Sequence, residues 1–323
     1  MKLVIQVPCL NEENTLPLVL ESMPTAIPGI DAIEYLVIDD GSTDRTSDVA
    51  REHGVHHVIR HARTMGLARS FRDGVEYALA HGADIVVNTD GDNQYPQERI
   101  GDLVQPILRG EAEIVVGDRQ TSTIRHFSPL KRLLQRVGSR VVNRAAGTSV
   151  PDAASGFRAY SRYSLYRLTI VTQFSYCMET IIQAGNKRIA ISSIPIETNP
   201  KTRESRLFSN MFEHMIKSAQ AIMRSYVMYR PWTVFAWLTG VFAVAGLAPF
   251  VRFAILRIIG DHGNHLQSLI FGVAMLVASL LSFALGVLSD LQRTNRILQE
   301  EQLEHLRTIE YGPARPSQNK DHT

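Results

Sequence analysis

The sequence is poor in cysteine and has no marked excess of charge of either sign. Its two cysteines, Cys9 and Cys177, lie far apart and outside any Cys-x-x-Cys or Cys/His spacing, so neither a disulfide framework nor a zinc site is predicted. Lysine and arginine total 34 against 32 aspartate and glutamate, too even a balance for the broad positive field of a dedicated nucleic-acid-binding protein. We therefore expect no nucleic-acid partner.

Two common nucleotide-binding patterns are also absent. No G-x-G-x-x-G follows the first predicted strand, and no G-x-x-x-x-G-K-[ST] occurs anywhere in the chain. These absences argue against a dinucleotide-dependent oxidoreductase and against a P-loop NTPase. Apolar residues nevertheless make up 45% of the chain, which predicts a substantial core in one large domain or two small ones.

Long apolar runs are present, and both lie beyond residue 230. Residues 232–251 and 269–288 contain no charged side chain. Each run has about 20 residues, the length of helix that crosses a hydrocarbon core of about 30 Å. We predict a transmembrane hairpin with spans at about 232–254 and 266–289. The alternative is a buried helical hairpin in a soluble core.

The basic residues near these runs predict an orientation. Two, Arg252 and Arg257, lie in or near the connection, whereas six flank the side that carries both termini. These six are Lys217, Arg224, Arg230, Arg293, Arg296 and Arg307. The positive-inside rule then predicts a multi-pass protein of the cytoplasmic (inner) membrane, with its N-terminal domain in the cytosol. Residues 3–7 are too short an apolar stretch for a signal peptide, so none is expected.

The first 230 residues alternate short apolar strands with helices. Strands are predicted at 3–8, 34–39, 56–60 and 84–89, and helices at 13–23, 43–53 and 67–81. This alternation predicts an α/β domain with a mainly parallel sheet covered on both faces. In such sheets, ligands bind outside the carboxyl ends of the strands.

Acidic and polar residues gather where three of these strands end. The segments are Pro8–Glu13, Asp39–Asp44 and Asp90–Asp92. In the third, two carboxylates flank a glycine on a turn and can converge on one cation. Such oxygen ligands, with Gln94 close by, suit Mg²⁺ or Mn²⁺ bound to a diphosphate. Each segment alone also fits an ordinary turn or a helix N-cap.

Five segments together resemble a known family. They are Pro8–Glu12 (PCLNE), Val37–Asp44 (VIDDGSTD), Asp90–Gln94 (DGDNQ), Gly117–Arg119 (GDR) and Asp152–Tyr160 (DAASGFRAY). The combination resembles inverting GT-A glycosyltransferases of the polyprenyl-phosphate type, which include dolichol-phosphate mannosyltransferases and bacterial polyisoprenyl-phosphate glucosyltransferases. The resemblance covers residues 1–230, and the apolar hairpin is similar to that of the bacterial subgroup.

The resemblance implies a domain order and a reaction. It implies a Rossmann-like GT-A domain at 1–204, an interfacial linker at 205–231, the hairpin at 232–289, and a cytosolic helix with a disordered tail at 290–323. The implied reaction moves a hexose from a UDP- or GDP-linked sugar to undecaprenyl or dolichyl phosphate, with Mg²⁺ or Mn²⁺ as cofactor. UDP-glucose, UDP-N-acetylglucosamine and GDP-mannose all remain open as donors, and a homo-oligomer is expected.

The resemblance also implies roles for individual residues. The nucleotide-binding positions are Pro8, Leu10, Glu12, Ile38, Asp40, Asp90 and Gly91, with Asp40 accepting hydrogen bonds from the base or groups beside it. The metal positions are Asp90, Asp92 and Gln94. The acceptor-phosphate positions are Arg119, Arg132, Lys201, Arg203 and Arg206. Residues 201–206 depart from the family pattern R-x-R-G-E-S-K, so that Arg206 replaces the lysine, and either Lys201 or Arg203 reaches the phosphates. Asp152 matches the family's candidate base, although an orienting role is the interpretation we favour.

A basic stretch lies between Arg119 and Arg144. It contains seven basic residues and no acidic one, and its apolar residues from Leu130 to Ala145 form one helical stripe. A basic amphipathic helix of this kind is typical of an anionic membrane surface. A solvated surface helix or a nucleic-acid-binding helix is the alternative. Residues 206–230 are a candidate for a second interfacial helix.

The sequence disfavours three rival functions. A processive polysaccharide synthase would carry a Gln-x-x-Arg-Trp signature, but neither Trp232 nor Trp237 follows an arginine. A non-catalytic membrane scaffold has no need of the acidic residues and the arginine of the family motifs. A transporter is disfavoured because the two apolar runs contain no ionisable residue that would line a substrate path.

Overall fold

The computed structural model describes residues 1–120, 138–144, 146–170, 176–200, 227, 231–260, 263 and 265–313. The predicted basic helix falls mostly outside these residues, as does almost all of the predicted linker at 205–231. The chain divides into two units, one comprising Met1–Ile222 with Glu300–Thr323 and the other Met223–Gln299.

The first unit is built on a seven-stranded sheet. Its strands are β1 (Lys2–Cys9), β2 (Ala32–Asp39), β3 (His57–Arg60), β4 (Ile85–Asn88), β5 (Ile114–Asp118), β6 (Arg158–Ser161) and β7 (Ile191–Pro195). Their order across the sheet is β3-β2-β1-β4-β6-β5-β7. Strand β6 is antiparallel to both of its neighbours, and the other described pairs are parallel. The predicted mainly parallel sheet is therefore confirmed.

Helices connect the strands. They are α1 (Leu16–Glu21), α2 (Thr46–Glu52), α3 (Leu67–Ala80), α4 (Ile100–Leu108), α5 (Arg162–Arg167) and α6 (Tyr176–Asn186), and residues 138–144 are also helical. Consecutive residues in β4, whose side chains point to opposite faces, are all fully buried. Both faces of the central sheet are therefore covered, which explains why its strands read as continuous apolar runs.

Two helices begin later than the sequence predicts. Helix α1 begins at Leu16 instead of Glu13, and α2 at Thr46 instead of Thr43. The N–H of Glu13 donates to Asp44 Oδ2 at 3.2 Å, and the N–H of Arg45 donates to Glu13 Oε2 at 3.1 Å. These groups bind across the two loops, so the helices start only after them.

The second unit contains most of two long helices, α7 (Pro231–Ile259) and α8 (Leu266–Tyr311). Both are long and apolar enough to cross a membrane, and the predicted spans fall inside them. Their most apolar windows are only 6% and 22% buried, unlike the core helices of a soluble domain. Ser279 Oγ donates to the carbonyl of Thr239 at 3.0 Å, so the two helices pack against each other.

The last turns of α8 belong to the first unit. Arg307 Nη1 donates to the carbonyls of Leu165, Tyr166 and Leu168 at 3.1, 2.9 and 2.8 Å. These carbonyls lie at the C-terminal end of α5, where a cation satisfies orphan acceptors and the helix dipole. The C-terminal segment is thereby fixed to the sheet domain.

Candidate functional site

The parallel strands β2, β1 and β4 are neighbours in the sheet, so their carboxyl ends lie side by side along one edge, the edge at which these strands terminate. Cys9 pairs with Asp39, and Gln6 pairs with Asn88. The predicted nucleotide-binding positions in or just after these strands are thereby brought to this edge. They are Pro8, Leu10 and Glu12 from β1, Ile38 and Asp40 from β2, and Asp90 and Gly91 from β4.

Hydrogen bonds join the loops that follow β1 and β2. Asn11 adopts a left-handed backbone conformation with φ of 56°, which asparagine tolerates better than most residues. Its Oδ1 accepts from the N–H of Thr43 at 2.8 Å, and its own N–H donates to Ser42 Oγ at 2.9 Å. The N–H of Glu12 donates to Thr46 Oγ1 at 2.8 Å. The backbone that carries Glu12 is therefore fixed by the neighbouring loop.

The Asp40 carboxylate binds three donors of the protein. His61 Nδ1 lies 2.8 Å from Oδ1, to which the N–H of Met65 also donates at 2.8 Å. The N–H of Gly66 donates to Oδ2 at 2.8 Å. A carboxylate has about four lone-pair sites, so three of them are used by residues 61–66. The structure shows Asp40 holding this loop, and its predicted contact with a base stays a prediction.

The turn after β4 is held tightly against β1. A Cβ added to Gly91 would lie 2.7 Å from Cys9 Sγ, so a larger residue does not fit. Asp92 Oδ1 accepts from the N–H of Gln94 at 3.1 Å. The three predicted metal positions therefore lie on one short turn.

The charge around this turn is unbalanced. Burial raises the pKa of the Asp90 carboxyl to about 7, and the negative charges of Asp92 and Glu12 add to the effect. The positive charge of Arg119 lowers this pKa but does not cancel the rise. Like charges that crowd a buried site in this way favour protonation or the arrival of a cation.

The residues of the turn fit a cation that is shared with a ligand. Within the described part of the chain, no three His, Cys, Asp or Glu side chains form a metal-binding group. The donors on offer are two carboxylates and the amide oxygen of Gln94. Mg²⁺ is commonly held by one or two carboxylates, substrate phosphates and water, so this donor set suits a metal–diphosphate complex.

Arg119 and Asp152 form a two-point ion pair. Arg119 Nε donates to Asp152 Oδ2 at 2.6 Å, and Nη2 donates to Oδ1 at 3.0 Å. Burial alone would raise the pKa of Asp152, which is 3% exposed, but Arg119 outweighs burial and holds this pKa below its usual value. A carboxylate of low pKa is a poor base near neutral pH, which supports an orienting role. The group that Asp152 holds is Arg119.

Arg158 instead organises the loop between Asp152 and β6. It is fully buried, and its guanidinium donates to the carbonyls of Ala153, Ser155 and Cys177 at 2.8, 2.7 and 2.8 Å. Two of these carbonyls lie in the loop before β6 and one in the first turn of α6, and such divergent acceptors match the fork of an arginine better than they match a lysine.

Tyr95 is a residue of the site that the motifs did not single out. Its hydroxyl accepts from the N–H of Gly156 at 2.9 Å. Burial raises its pKa, Arg119 opposes the rise, and Asp90 and Asp152 add to it. Tyr95 therefore lies within electrostatic reach of both the β4 turn and the Arg119–Asp152 pair. Its position next to Gln94 was the available signal.

Asn88 is a second such residue. Its Nδ2 donates to the carbonyl of Gly156 at 3.0 Å and to the hydroxyl of Tyr176 at 2.7 Å. Its Oδ1 accepts from Gln6 Nε2 at 3.0 Å. A polar residue at the end of the buried strand IVVN is a signal in itself, because buried amides need partners.

The acceptor side is described only in part. Arg119 lies within the described residues, whereas Arg132, Lys201, Arg203 and Arg206 lie outside them. Their predicted contacts with a phosphate stay predictions.

Two curated relatives align with most of this chain. Over 230 residues it is 26% identical to the polyprenol monophosphomannose synthase of Mycolicibacterium smegmatis, which covers 67% of this chain and 85% of the relative. Over 269 residues it is 27% identical to the undecaprenyl-phosphate 4-deoxy-4-formamido-L-arabinose transferase of Photorhabdus laumondii, which covers 80% of this chain and 78% of the relative.

The fold is also similar to that of a solved glycosyltransferase. Glucosyl-3-phosphoglycerate synthase from Mycobacterium tuberculosis, determined with Mn²⁺, uridine diphosphate and glucosyl-3-phosphoglycerate, superposes with a TM-score of 0.55 at 21% identity. The match covers 70% of this chain and 78% of that one. This likeness confirms the predicted GT-A fold. Residues 4–169, more than half of the chain, match the model of glycosyl transferase family 2, and the chain therefore belongs to that family.

Proposed function

We propose that this protein is a membrane-bound inverting glycosyltransferase that moves a hexose from a nucleotide sugar to a polyprenyl phosphate. The two relatives above are named for polyprenol and for undecaprenyl phosphate. The observation that carries the proposal is the presence of α7 and α8 in the same chain as a family 2 domain. Helices of this length and composition suit an enzyme whose acceptor is a membrane lipid.

The sheet edge formed by β2, β1 and β4 is the proposed donor site. Residues in and after β1 and β2 would hold the nucleoside, while Asp90, Asp92 and Gln94 would hold Mg²⁺ or Mn²⁺ together with the diphosphate. The bound cation would stabilise the negative charge of the departing nucleoside diphosphate. The raised pKa of Asp90 supports this assignment, because a cation relieves the charge that raises it.

Arg119 is the proposed anchor of the acceptor phosphate. Asp152 binds two of its five N–H groups and thereby fixes the guanidinium plane, leaving others for a phosphate. Arg132, Arg206 and either Lys201 or Arg203 would complete the cationic clamp. Asp152 is a positioning residue in this scheme.

The chemistry is a single displacement. A phosphate monoester has a second pKa of about 6, so its oxygen is ionised near neutral pH and needs no strong base. That oxygen bonds to the anomeric carbon while the bond from this carbon to the diphosphate breaks, and the nucleoside diphosphate leaves with the electron pair. Positioning and charge neutralisation supply the rate, and the anomeric centre is inverted.

The predicted location belongs to the same proposal. Six basic residues against two support an orientation with both ends of the α7–α8 hairpin in the cytosol, and the cytoplasmic membrane is the proposed compartment. Cysteine-scanning accessibility at the ends of α7 and α8 tests this orientation. A homo-oligomer also stays a prediction, which mass photometry in detergent tests.

The test is transfer of label from a panel of nucleotide sugars to undecaprenyl phosphate by the detergent-solubilised protein with Mn²⁺. Because the two relatives are named for different sugars, the panel includes UDP-glucose, UDP-N-acetylglucosamine and GDP-mannose. We expect transfer from one donor, abolished by a chelator and strongly reduced by Asp92→Asn. Asp48→Asn, an exposed carboxylate on α2, is the matched control and should retain activity.

The same experiment separates the rival functions. A polymeric product would replace the proposal with a processive synthase. Metal-dependent nucleotide binding without transfer to any acceptor would favour a scaffold. Transfer to soluble phosphorylated acids but not to the lipid would overturn the acceptor assignment alone.

A further inference from the structure

The four residues after β7, 196–199, connect two loops of the proposed site. At one end, the N–H of Ile196 donates to the carbonyl of Asp118 at 2.8 Å, directly before Arg119. At the other end, Asn199 contacts the loop that follows the β4 turn. These residues lie outside the stretch 4–169 that matches the family model.

Asn199 binds three successive carbonyls of that loop. Its Nδ2 donates to the carbonyls of Asn93 and Tyr95 at 3.1 and 3.2 Å, and its N–H donates to the carbonyl of Gln94 at 3.0 Å. One side chain and one peptide group thus hold the carbonyls of residues 93–95 towards the β7 side of the site.

The three hydrogen bonds from Asn199 hold the backbone directly after the Asp90–Asp92 turn. Asn93 has a left-handed backbone with φ of 58°, which asparagine tolerates, and its carbonyl is one of the three that Asn199 binds. With the carbonyl of Gln94 bound to Asn199, the N–H of Gln94 donates to Asp92 Oδ1. Asn199 therefore binds the backbone of Gln94, one predicted metal position, and is one hydrogen-bonded residue away from Asp92, another.

The residue type matters at this position. An asparagine amide supplies two N–H donors from one nitrogen, which two carbonyls can share. Aspartate would place a carboxylate against the same carbonyls, and alanine would leave them without the side-chain donor. Neither replacement reproduces the contact.

We propose that Asn199 is a positioning residue that orients the Asp90–Asp92 turn for a complex of a divalent cation with a nucleoside diphosphate. The inference rests on the proposed function for the identity of the ligand. It extends that function by assigning a residue outside the family motifs to the donor site.

The test compares Asn199→Ala and Asn199→Asp with Asn186→Ala in the full-length protein. Asn186 is the matched control, because its Nδ2 donates to the carbonyl of Ile182 at 2.8 Å within α6. Mn²⁺ affinity is measured by electron paramagnetic resonance in the presence of UDP and, separately, GDP, and Tm is measured without metal. Outer-shell partners of a metal site typically change affinity by about 10- to 100-fold, so both Asn199 variants should weaken Mn²⁺ by this factor.

Asn199→Asp is the sharper variant. Its added negative charge would by itself raise the affinity for Mn²⁺, whereas lost positioning of the turn would lower it. The two explanations therefore predict opposite changes in Mn²⁺ affinity. The control should lose a comparable small amount of Tm and keep its Mn²⁺ affinity. Unchanged affinity in both Asn199 variants, tighter binding in Asn199→Asp, or no Mn²⁺ binding by the parent protein would each overturn the inference.

The measurement also separates this inference from the proposed function. Binding of Mn²⁺ and a nucleoside diphosphate needs no lipid acceptor. If the parent protein transfers no sugar but the Asn199 variants bind Mn²⁺ more weakly, the positioning role stands and the acceptor assignment fails. If the parent protein transfers sugar and the Asn199 variants bind Mn²⁺ as tightly as it does, the acceptor assignment stands and the positioning role of Asn199 fails.

Discussion

One arginine lies near two carboxylates whose acidities shift in opposite directions. On the proposed acceptor side, Arg119 makes two hydrogen bonds to Asp152, and the pKa of Asp152 lies below its usual value although burial opposes this. On the proposed donor side, burial and the neighbouring charges of Asp92 and Glu12 outweigh the same arginine, and the pKa of Asp90 rises to about 7. Burial therefore does not separate the two regions.

The difference lies in what each region provides for itself. Asp152 has its cation within the fold, and Asp40 has three donors from residues 61–66. These carboxylates are part of the folded framework. The β4 turn concentrates negative charge that the fold leaves only partly neutralised, so its proposed function would depend on a cation brought with the ligand. Substitutions in the two regions should therefore fail in different ways.

The largest expected effect is on activity, at the donor side. Asp92→Asn should lower the rate of sugar transfer by about 10²- to 10³-fold, the cost of losing one strong charge-stabilising group. It should not lower Tm, because it removes a negative charge that raises the pKa of Asp90. Single-turnover transfer and thermal unfolding in detergent measure the two effects. A transfer rate equal to that of Asp48→Asn would contradict the assignment.

The next effect is on stability, at the acceptor side. Asp152→Asn leaves the guanidinium of Arg119 beside a neutral amide, and breaking a buried ion pair costs about 3 kcal/mol or more. Urea unfolding followed by circular dichroism should show this loss in the free energy of unfolding. The folded fraction should keep the pH profile of transfer. A stable Asp152→Asn protein that loses as much activity as Asp92→Asn would instead identify Asp152 as the base.

The strand ends of the donor site were predictable because each motif directly follows an apolar run, and parallel strands bring such ends to one edge. The starts of α1 and α2 were not. Glu13 and Asp44 fit helix-start patterns locally, but their groups bind across two loops that only the paired strands bring together. Asn199 was missed for a similar reason, since its contact with residues 93–95 depends on β7 joining the sheet at its far edge.

Protonation should separate the two regions further. A folded-state pKa raised to about 7 means that Asp90 contributes stability at low pH and loses it as pH rises through about 7. Asp152 has a lowered pKa, so its contribution to stability depends on pH in the opposite direction. That contribution is lost only as pH falls through the low pKa of Asp152. Without metal or nucleotide, Tm should therefore contain a component that falls between about pH 4 and about pH 7, the unfolded-state and folded-state pKa values of Asp90.

Asp90→Asn tests whether Asp90 causes this fall of Tm with pH. The Asp90→Asn variant should lose the pH dependence, and Asp48→Asn should keep it. Metal binding should show the complementary trend, since a proton must leave before the cation binds. The affinity for Mn²⁺ with UDP or GDP should weaken by about tenfold for each pH unit below the pKa of Asp90. Calorimetry at several pH values measures this, and an affinity independent of pH would contradict the charge assignment.

The smallest expected effect is at Asp40, because its carboxylate keeps two hydrogen-bond donors when one is removed. His61→Ala removes one of three donors and leaves the N–H groups of Met65 and Gly66, so the expected cost is about 1 kcal/mol of stability. His57→Ala is the matched control, because His57 lies at the start of β3, which ends just before His61, and its Nε2 lies 3.0 Å from Glu34 Oε2 instead of from Asp40. Both variants should show a similar drop in Tm, and only His61→Ala should weaken nucleotide binding, because His61 contacts Asp40 and His57 does not. An equal effect of both variants on nucleotide affinity would show that the loop at 61–66 has no part in binding, and the comparison between a self-sufficient framework and a cation-dependent turn would then rest on Asp152 alone.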